Sequence, residues 1–293
     1  MKINKKKKDA IYIIVALVLS FGVMVFISKM NNTNIFEEIK RIKIYDIIIA
    51  YLIYSLSYFV DSLRFKVVIK PFNTKVKFIN LFYNNVIGYL LSAITPFAAG
   101  GQPFQIYHLH KSGLSSEAST NIIASRFLEM MFLNLGITIF SYKIVVNSVK
   151  DSVFSSKMIN LGLIVSVIVS LFFLILFIKT QWIAKFIKFI ESKNKISKLG
   201  KKLEGWTNQF NDSIKFLWSE KVIYMIADIF LGLVTLMIQA YSLYYMLSSY
   251  VVCEPVPFFF WKVFGGMTLL NMVVYYIPTP GASGSVEASY HIL

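Results

Sequence analysis

Ala10–Ser28 runs for 19 residues without a charged side chain, and Met158–Ile178 for 21. A stretch of about 20 apolar residues is the length an α-helix needs to cross the ~30 Å hydrocarbon core of a bilayer. Val222–Met246 is as long, interrupted only by Asp228. Ile44–Val60 is shorter and carries Asp46, while Ser119–Tyr142 is long enough but holds Arg126 and Glu129. Two more apolar runs, Phe78–Ile94 and Pro257–Tyr276, each end in a segment rich in proline and glycine. With 56% hydrophobic and only 15% charged residues in 293, the chain lacks the polar surface of a water-soluble globule, which averages about 25% charged. An all-α polytopic membrane protein is expected, read as a single integral membrane domain over residues 1–293. The basic leader before the first run resembles a secretion signal, but the run is too long and no small-residue cleavage site follows, so it reads as an uncleaved first helix. The single cysteine, Cys253, excludes an intramolecular disulfide and a multi-cysteine metal cluster.

Lysine and arginine placement decides how residues 78–110 cross. If Phe78–Ile94 were a full span, basic residues would be spread almost evenly over both sides. If residues 78–110 enter and return on one side, the segments 1–9, 61–77, 108–118 and 179–221 share a face with 21 lysines and arginines. The opposite segments, 29–43 and 143–157, then hold 7. The positive-inside bias selects the re-entrant arrangement, with the amino terminus in the cytoplasm of a cell-membrane protein. Broken backbone at that depth must be satisfied by protein or line a wet cavity, so Pro96 and the glycines 100 and 101, expected to adopt non-helical angles, mark a cavity.

A second break, "YYIPTPGASGSVEASY", repeats the first. Thr95-Pro96 aligns with Thr279-Pro280, and Gly100 with Gly284, without a gap. Two spans precede each break, which suggests an inverted repeat, unit one at 10–142 and unit two at 158–293, with a site where the two hairpins meet. The second unit stops inside its returning arm, so the chain is expected to be truncated at its carboxyl end.

Together, "TPFAAGGQPFQIYHLHKSGLSSEASTNIIASRFLE" and "IPTPGASGSVE" resemble the membrane domain of lysylphosphatidylglycerol synthase, also called phosphatidylglycerol lysyltransferase or multiple peptide resistance factor. The residues carrying the resemblance are Pro96, Gly100, Gly101, Pro103, Tyr107, Gly113 and Arg126, then Pro278, Pro280, Gly281, Gly284 and Glu287. The resemblance implies binding and flipping of a membrane phospholipid, phosphatidylglycerol or its lysyl ester, with a role in resistance to cationic antimicrobial peptides. It also implies lysyl transfer from lysyl-tRNA, but the longest hydrophilic stretch, Lys179–Lys221, is too short to be the soluble catalytic domain. Transfer would need a separate aminoacyltransferase. A small-solute secondary transporter shares the inverted repeat and is the remaining alternative.

Charged residues inside apolar runs are the candidate site. Arg126 and Glu129, three apart on one helix face, can pair with each other; otherwise Arg126 is free to hold a lipid phosphate. Glu287 suits an ammonium or a proton, Asp228 the cavity wall, and Tyr107 the lipid site. Asp61 and Arg64 read as a solvated pair at a helix end, and Asp46 as undecided. His108 and His110 lack a third ligand nearby, so neither a metal nor another cofactor is expected. Lys262 reads as an interfacial lysine that snorkels. The basic amphipathic segment 179–221 is expected to lie on the anionic inner leaflet, a reading preferred to nucleic-acid binding because no nucleic-acid fold is recognisable.

Overall fold

The computed structural model describes residues 42–95, 98–148, 153–179, 197–249 and 256–274, together with Gly22, Val25, Lys40 and Trp182. The first expected span, Pro96, and the whole second break, including Pro278, Pro280, Gly281, Gly284 and Glu287, lie outside the described residues. Eight α-helices follow one another among the described residues: α1 Ile44–Ile69, α2 Phe78–Ala93, α3 Gly101–Lys111, α4 Ser116–Ser148, α5 Val153–Ile178, α6 Ser197–Lys215, α7 Val222–Ser248 and α8 Val256–Val274. Four of them are long and apolar enough to cross a membrane: α1, α4, α5 and α7. Their outer faces are what such a solvent demands. Ile48 and Leu52 on α1, Leu161 and Ile168 on α5, and Ile223 and Phe230 on α7 are all exposed.

α1 runs nine residues beyond the apolar run that announces it, through Asp61 and Arg64. It packs antiparallel to α7 along its length. Tyr245 Oη donates to Asp46 (3.0 Å), Ser242 Oγ to the Ala50 carbonyl (2.7 Å), and Arg64 Nε to Asp228 (2.8 Å). α8 crosses α4 closely because Gly265 has no side chain: a Cβ there would lie 2.4 Å from Ser141 Cβ. Small residues at such crossings let helices approach where no hydrophobic effect drives them together. Thr138 Oγ1 donates to Thr268 Oγ1 at 3.1 Å in the same interface.

α2 and α3 form a hairpin. Tyr83 packs on Phe104 and His108, and Gly88 faces Gln105, so the two arms are antiparallel. Its open end returns to where it began. Leu81 and Leu109 share one apolar core with Ile69, Leu114 and Leu217, which brings the ends of α1 and α3 and the start of α7 together at the lysine-rich end of the bundle. This is the geometry expected of residues 78–110, and the alternative of a full crossing would part Ile69 from Leu114.

The hairpin tip satisfies its own broken backbone. Thr95 Oγ1 donates to the Leu91 carbonyl (2.7 Å) and accepts from the Gly100 amide (2.9 Å), while the Ala98 amide donates to the Thr95 carbonyl (3.2 Å). The glycines serve this tip differently from expectation. Gly100 has φ −78° and ψ −19°, ordinary helical values, and it is Ala98 that takes the positive φ of 52°. What the glycines supply is proximity. A Cβ on Gly101 would lie 2.5 Å from the Gly88 carbonyl oxygen and 2.2 Å from Ser92 Oγ. Pro103 falls in the first turn of α3, where its missing amide costs nothing.

Part of the apolar face of α6 docks on the protein: Phe210 is buried, stacks on Trp206 and meets Phe177 of α5. Trp206 Nε1 donates to Ser116 Oγ (3.3 Å), and Asn121 Nδ2 donates to Ser213 Oγ (3.0 Å). Indole and amide donors fix this face to the start of α4.

Gly101→Ala should therefore open the hairpin and cost about 1–3 kcal/mol, because its clash is with backbone. Gly88→Ala should cost less, since its clash is with the flexible end of Gln105. Thermal unfolding of the purified protein in detergent measures both, and equal midpoints would refute the close-approach account.

Candidate functional site

Among the described residues, five charged side chains from three helices meet inside the bundle. α1 supplies Asp61 and Arg64, α4 supplies Arg126 and Glu129, and α7 supplies Asp228. All are buried, Arg64 and Asp228 almost completely, at 1% and 0% exposed. Arg64 is the hub. Its Nε donates to Asp228 Oδ1 (2.8 Å), its Nη1 to Asp61 Oδ1 (3.0 Å), and its Nη2 to both Glu129 Oε2 and Asp228 Oδ2 (3.2 Å each). Only a planar guanidinium, with donors on three nitrogens, can serve three carboxylates at once. Gly232 leaves it room, since a Cβ at that position would lie 3.1 Å from Arg64 Cζ.

Arg126 occupies a second place in the cluster. Its Nη2 donates to Asp61 Oδ1 (2.6 Å) and to the Asp61 carbonyl (3.0 Å), and its guanidinium lies 3.5 Å from the centre of the Phe65 ring. Its Nε is 3.9 Å from Asp228 Oδ2 and makes no hydrogen bond. Part of its fork is therefore uncommitted. Tyr89 Oη, from the hairpin, donates to Asp61 Oδ2 at 3.2 Å.

Against this cluster lies a cavity of about 320 Å³, into which charged and amide side chains project among apolar ones. Asp61, Arg64 and Arg126 line it, facing Tyr89, Gln102 and Gln105 of the hairpin. A second, largely apolar cavity of about 660 Å³ adjoins it, running between the hairpin, α4 and α5 past Ile106, Met131, Val169 and Phe172. Gln102, Ile123, Phe127 and Asn271 line both. Asn271 Nδ2 donates to Asn134 Oδ1 (3.3 Å) where the two cavities meet.

The sequence-derived candidates are placed as follows. Asp61 and Arg64 are not a solvated pair: each is buried, and Arg64 holds the cluster together. Lys66, two residues on, is exposed on another face of the helix, while Val68 and Ile69 beyond it are buried again. Arg126 and Glu129 do not pair with each other; Glu129 turns to Arg64 and Arg126 to Asp61. Asp228 sits behind the cavity as a ligand of Arg64 and does not line it. Asp46 is buried under Tyr245 at the far end of α1. Tyr107 is exposed, beneath the Lys111 ammonium, and lines neither cavity. His108 stacks on Phe104, and His110 Nδ1 contacts the Leu114 carbonyl, so the two imidazoles serve separate packing sites.

Apolar spans around a buried ionic cluster, with a re-entrant hairpin beside it, define an α-helical polytopic membrane protein. The family described as the lysylphosphatidylglycerol synthase TM region matches residues 13–293, and the chain belongs to that family. No curated protein and no solved structure gives a match.

Removing the hub should be the most damaging single change in the cluster. Arg64→Ala leaves three buried carboxylates to one arginine and is expected to cost about 3–5 kcal/mol, seen as lost folded yield or a large fall in thermal midpoint. Arg64→Lys should fail nearly as badly, because one ammonium cannot reach three carboxylates in the same geometry. Wild-type stability in Arg64→Lys would show that charge alone, not the fork, holds the helices.

Proposed function

We propose that the chain binds a phospholipid, phosphatidylglycerol or its lysyl ester, with the phosphate on Arg126, and carries it across the cell membrane. The observation that carries this reading is the union of a polar cavity, bearing a partly uncommitted guanidinium, with an apolar cavity beside it. A head group fits the first and an acyl chain the second. A small polar solute would have no use for the apolar cavity, which favours the lipid over a solute transporter. Moving a lysyl ester outward would lower surface charge against cationic peptides.

The path is built on an inverted repeat, which the pairing of α1 with α7 supports. Asp46 lies early in α1 and meets Tyr245 late in α7, while Asp228 lies early in α7 and meets Arg64 late in α1. An axis in the membrane plane that exchanges two antiparallel helices relates such contacts to each other. The lysine-rich end, and with it the amino terminus, faces the cytoplasm and its anionic leaflet.

Arg126→Lys should keep the charge and lose the fork, so that binding and outward movement of lysyl-phosphatidylglycerol both fall while the protein still inserts. Unchanged outer-leaflet lipid at equal expression would make Arg126 purely structural. Single cysteines at Ser115 and Ser197, in a Cys253→Ser background, should resist a membrane-impermeant thiol reagent in intact cells. Labelling of either from outside would overturn the orientation.

A further inference from the structure

Among the described residues, two cationic and three anionic side chains share the cluster, so with every group ionised these five carry one surplus negative charge away from bulk water. That surplus is not spread evenly. Asp228 accepts two hydrogen bonds from Arg64, and Asp61 accepts from Arg64, Arg126 and Tyr89. Glu129 accepts one, through Oε2, from a nitrogen that also serves Asp228 Oδ2. Its Oε1 accepts none, although the residue is only 4% exposed.

Among the described residues, the packing sets the groups that face Glu129. α1 presents Arg64 and Asp61, α7 presents Asp228, whose carboxyl interacts directly with that of Glu129, and α4 itself carries Arg126. The hairpin residues lining the cavity, Asn85, Tyr89, Ser92, Gln102 and Gln105, carry no charge, and Asn271 of α8 carries none. A proton on Glu129 cancels the surplus and turns a buried bare acceptor into a donor beside Asp228. At no other carboxyl in the cluster would it mend both defects.

We propose that the cluster binds one exchangeable proton on Glu129 and that this proton is linked to phosphate binding on Arg126. The site itself follows from the charge count; its link to lipid rests on the function proposed above. The proton comes from water and returns to it, and only an O–H bond is made or broken. With Glu129 protonated, the five groups sum to zero and a phosphate approaches Arg126 without net repulsion. With Glu129 ionised, the surplus charge stands one turn away on the same helix and opposes the phosphate. Binding of phosphate and binding of proton therefore favour each other, and by linkage each strengthens the other equally.

The test uses the purified chain in lipid nanodiscs, with phosphatidylglycerol as the probe and Glu129→Gln as the variant that imitates the protonated state. Wild-type affinity should fall about tenfold per pH unit once the proton is lost, and the glutamine variant should keep the low-pH affinity throughout. The infrared carbonyl band of a protonated carboxyl should be present in the wild type at neutral pH, vanish at alkaline pH, and be missing from Glu129→Gln. This readout needs no phosphatidylglycerol, and the wild-type titration alone tests for a buried proton should the variant not fold. A missing wild-type band, or one that survives in the variant, overturns the proton site. A correct band with pH-independent affinity in both proteins overturns the linkage. A correct band with no phosphatidylglycerol binding at any pH leaves the proton site standing and refutes the lipid reading instead.

Discussion

The guanidinium of Arg64 holds three helices through the acid each contributes: Asp61 on its own helix, Glu129 on α4 and Asp228 on α7. Between apolar helices in a bilayer there is no hydrophobic effect to drive association, because lipid tails are as apolar as leucine. Packing of small residues and polar contacts must do it. Taking ions out of water is expensive, so a cluster like this is not a source of surplus stability; it is a specification. Only one relative placement of α1, α4 and α7 satisfies the carboxylates, and every other placement strands a charge. The register of α1 against α7 follows, and with it the meeting of Asp46 and Tyr245 at the far end.

The hairpin is held by weaker means. It reaches the charged frame through the Tyr89 hydroxyl on Asp61 and through Asn85, whose Nδ2 donates to the Tyr58 carbonyl and Ser62 Oγ at 3.2 Å each. Its two arms are drawn together by Gly88 and Gly101, and its tip is closed by Thr95. The polar cavity lies on the seam between this neutral, small-residue unit and the charged frame. A ligand entering there displaces neutral hydrogen bonds on one side and competes for a guanidinium on the other. Neither step breaks the three-carboxylate hub.

The spans were legible because uncharged runs of this length have few other uses, and the hairpin because lysine placement penalises the alternative. Thr95, Pro96 and Gly101 could be seen as a break. What glycine does there, bringing backbone to backbone rather than adopting an unusual φ, is a property of the partner arm and appears only in three dimensions. The cluster was half legible. Arg126, Glu129 and Asp228 stood out as charges inside apolar runs, but Asp61 and Arg64 sit among Lys66 and Lys70 and look like the polar end of a helix. Their partners are 65 and 164 residues away. A local pattern of i and i+3 charges cannot say whether a pair faces water or another helix, nor which acid an arginine meets across a helix interface. The apolar residues continuing past Arg64, Phe65 and then Val67–Ile69, were the available signal that the helix had not yet reached its end.

Charge balance ties the frame to the cavity. Arg64 is saturated by its acids, and Arg126 is not; it is the cation whose contacts leave donor capacity next to the polar cavity. On the function proposed above, a phosphate on Arg126 would add negative charge to a cluster in which acids outnumber bases, and Glu129, the carboxyl with the fewest donors, would answer that change. Three acids to two bases, which as pure structural cement would be a poor choice, is the stoichiometry expected where an ion pair network must also respond to an arriving charge.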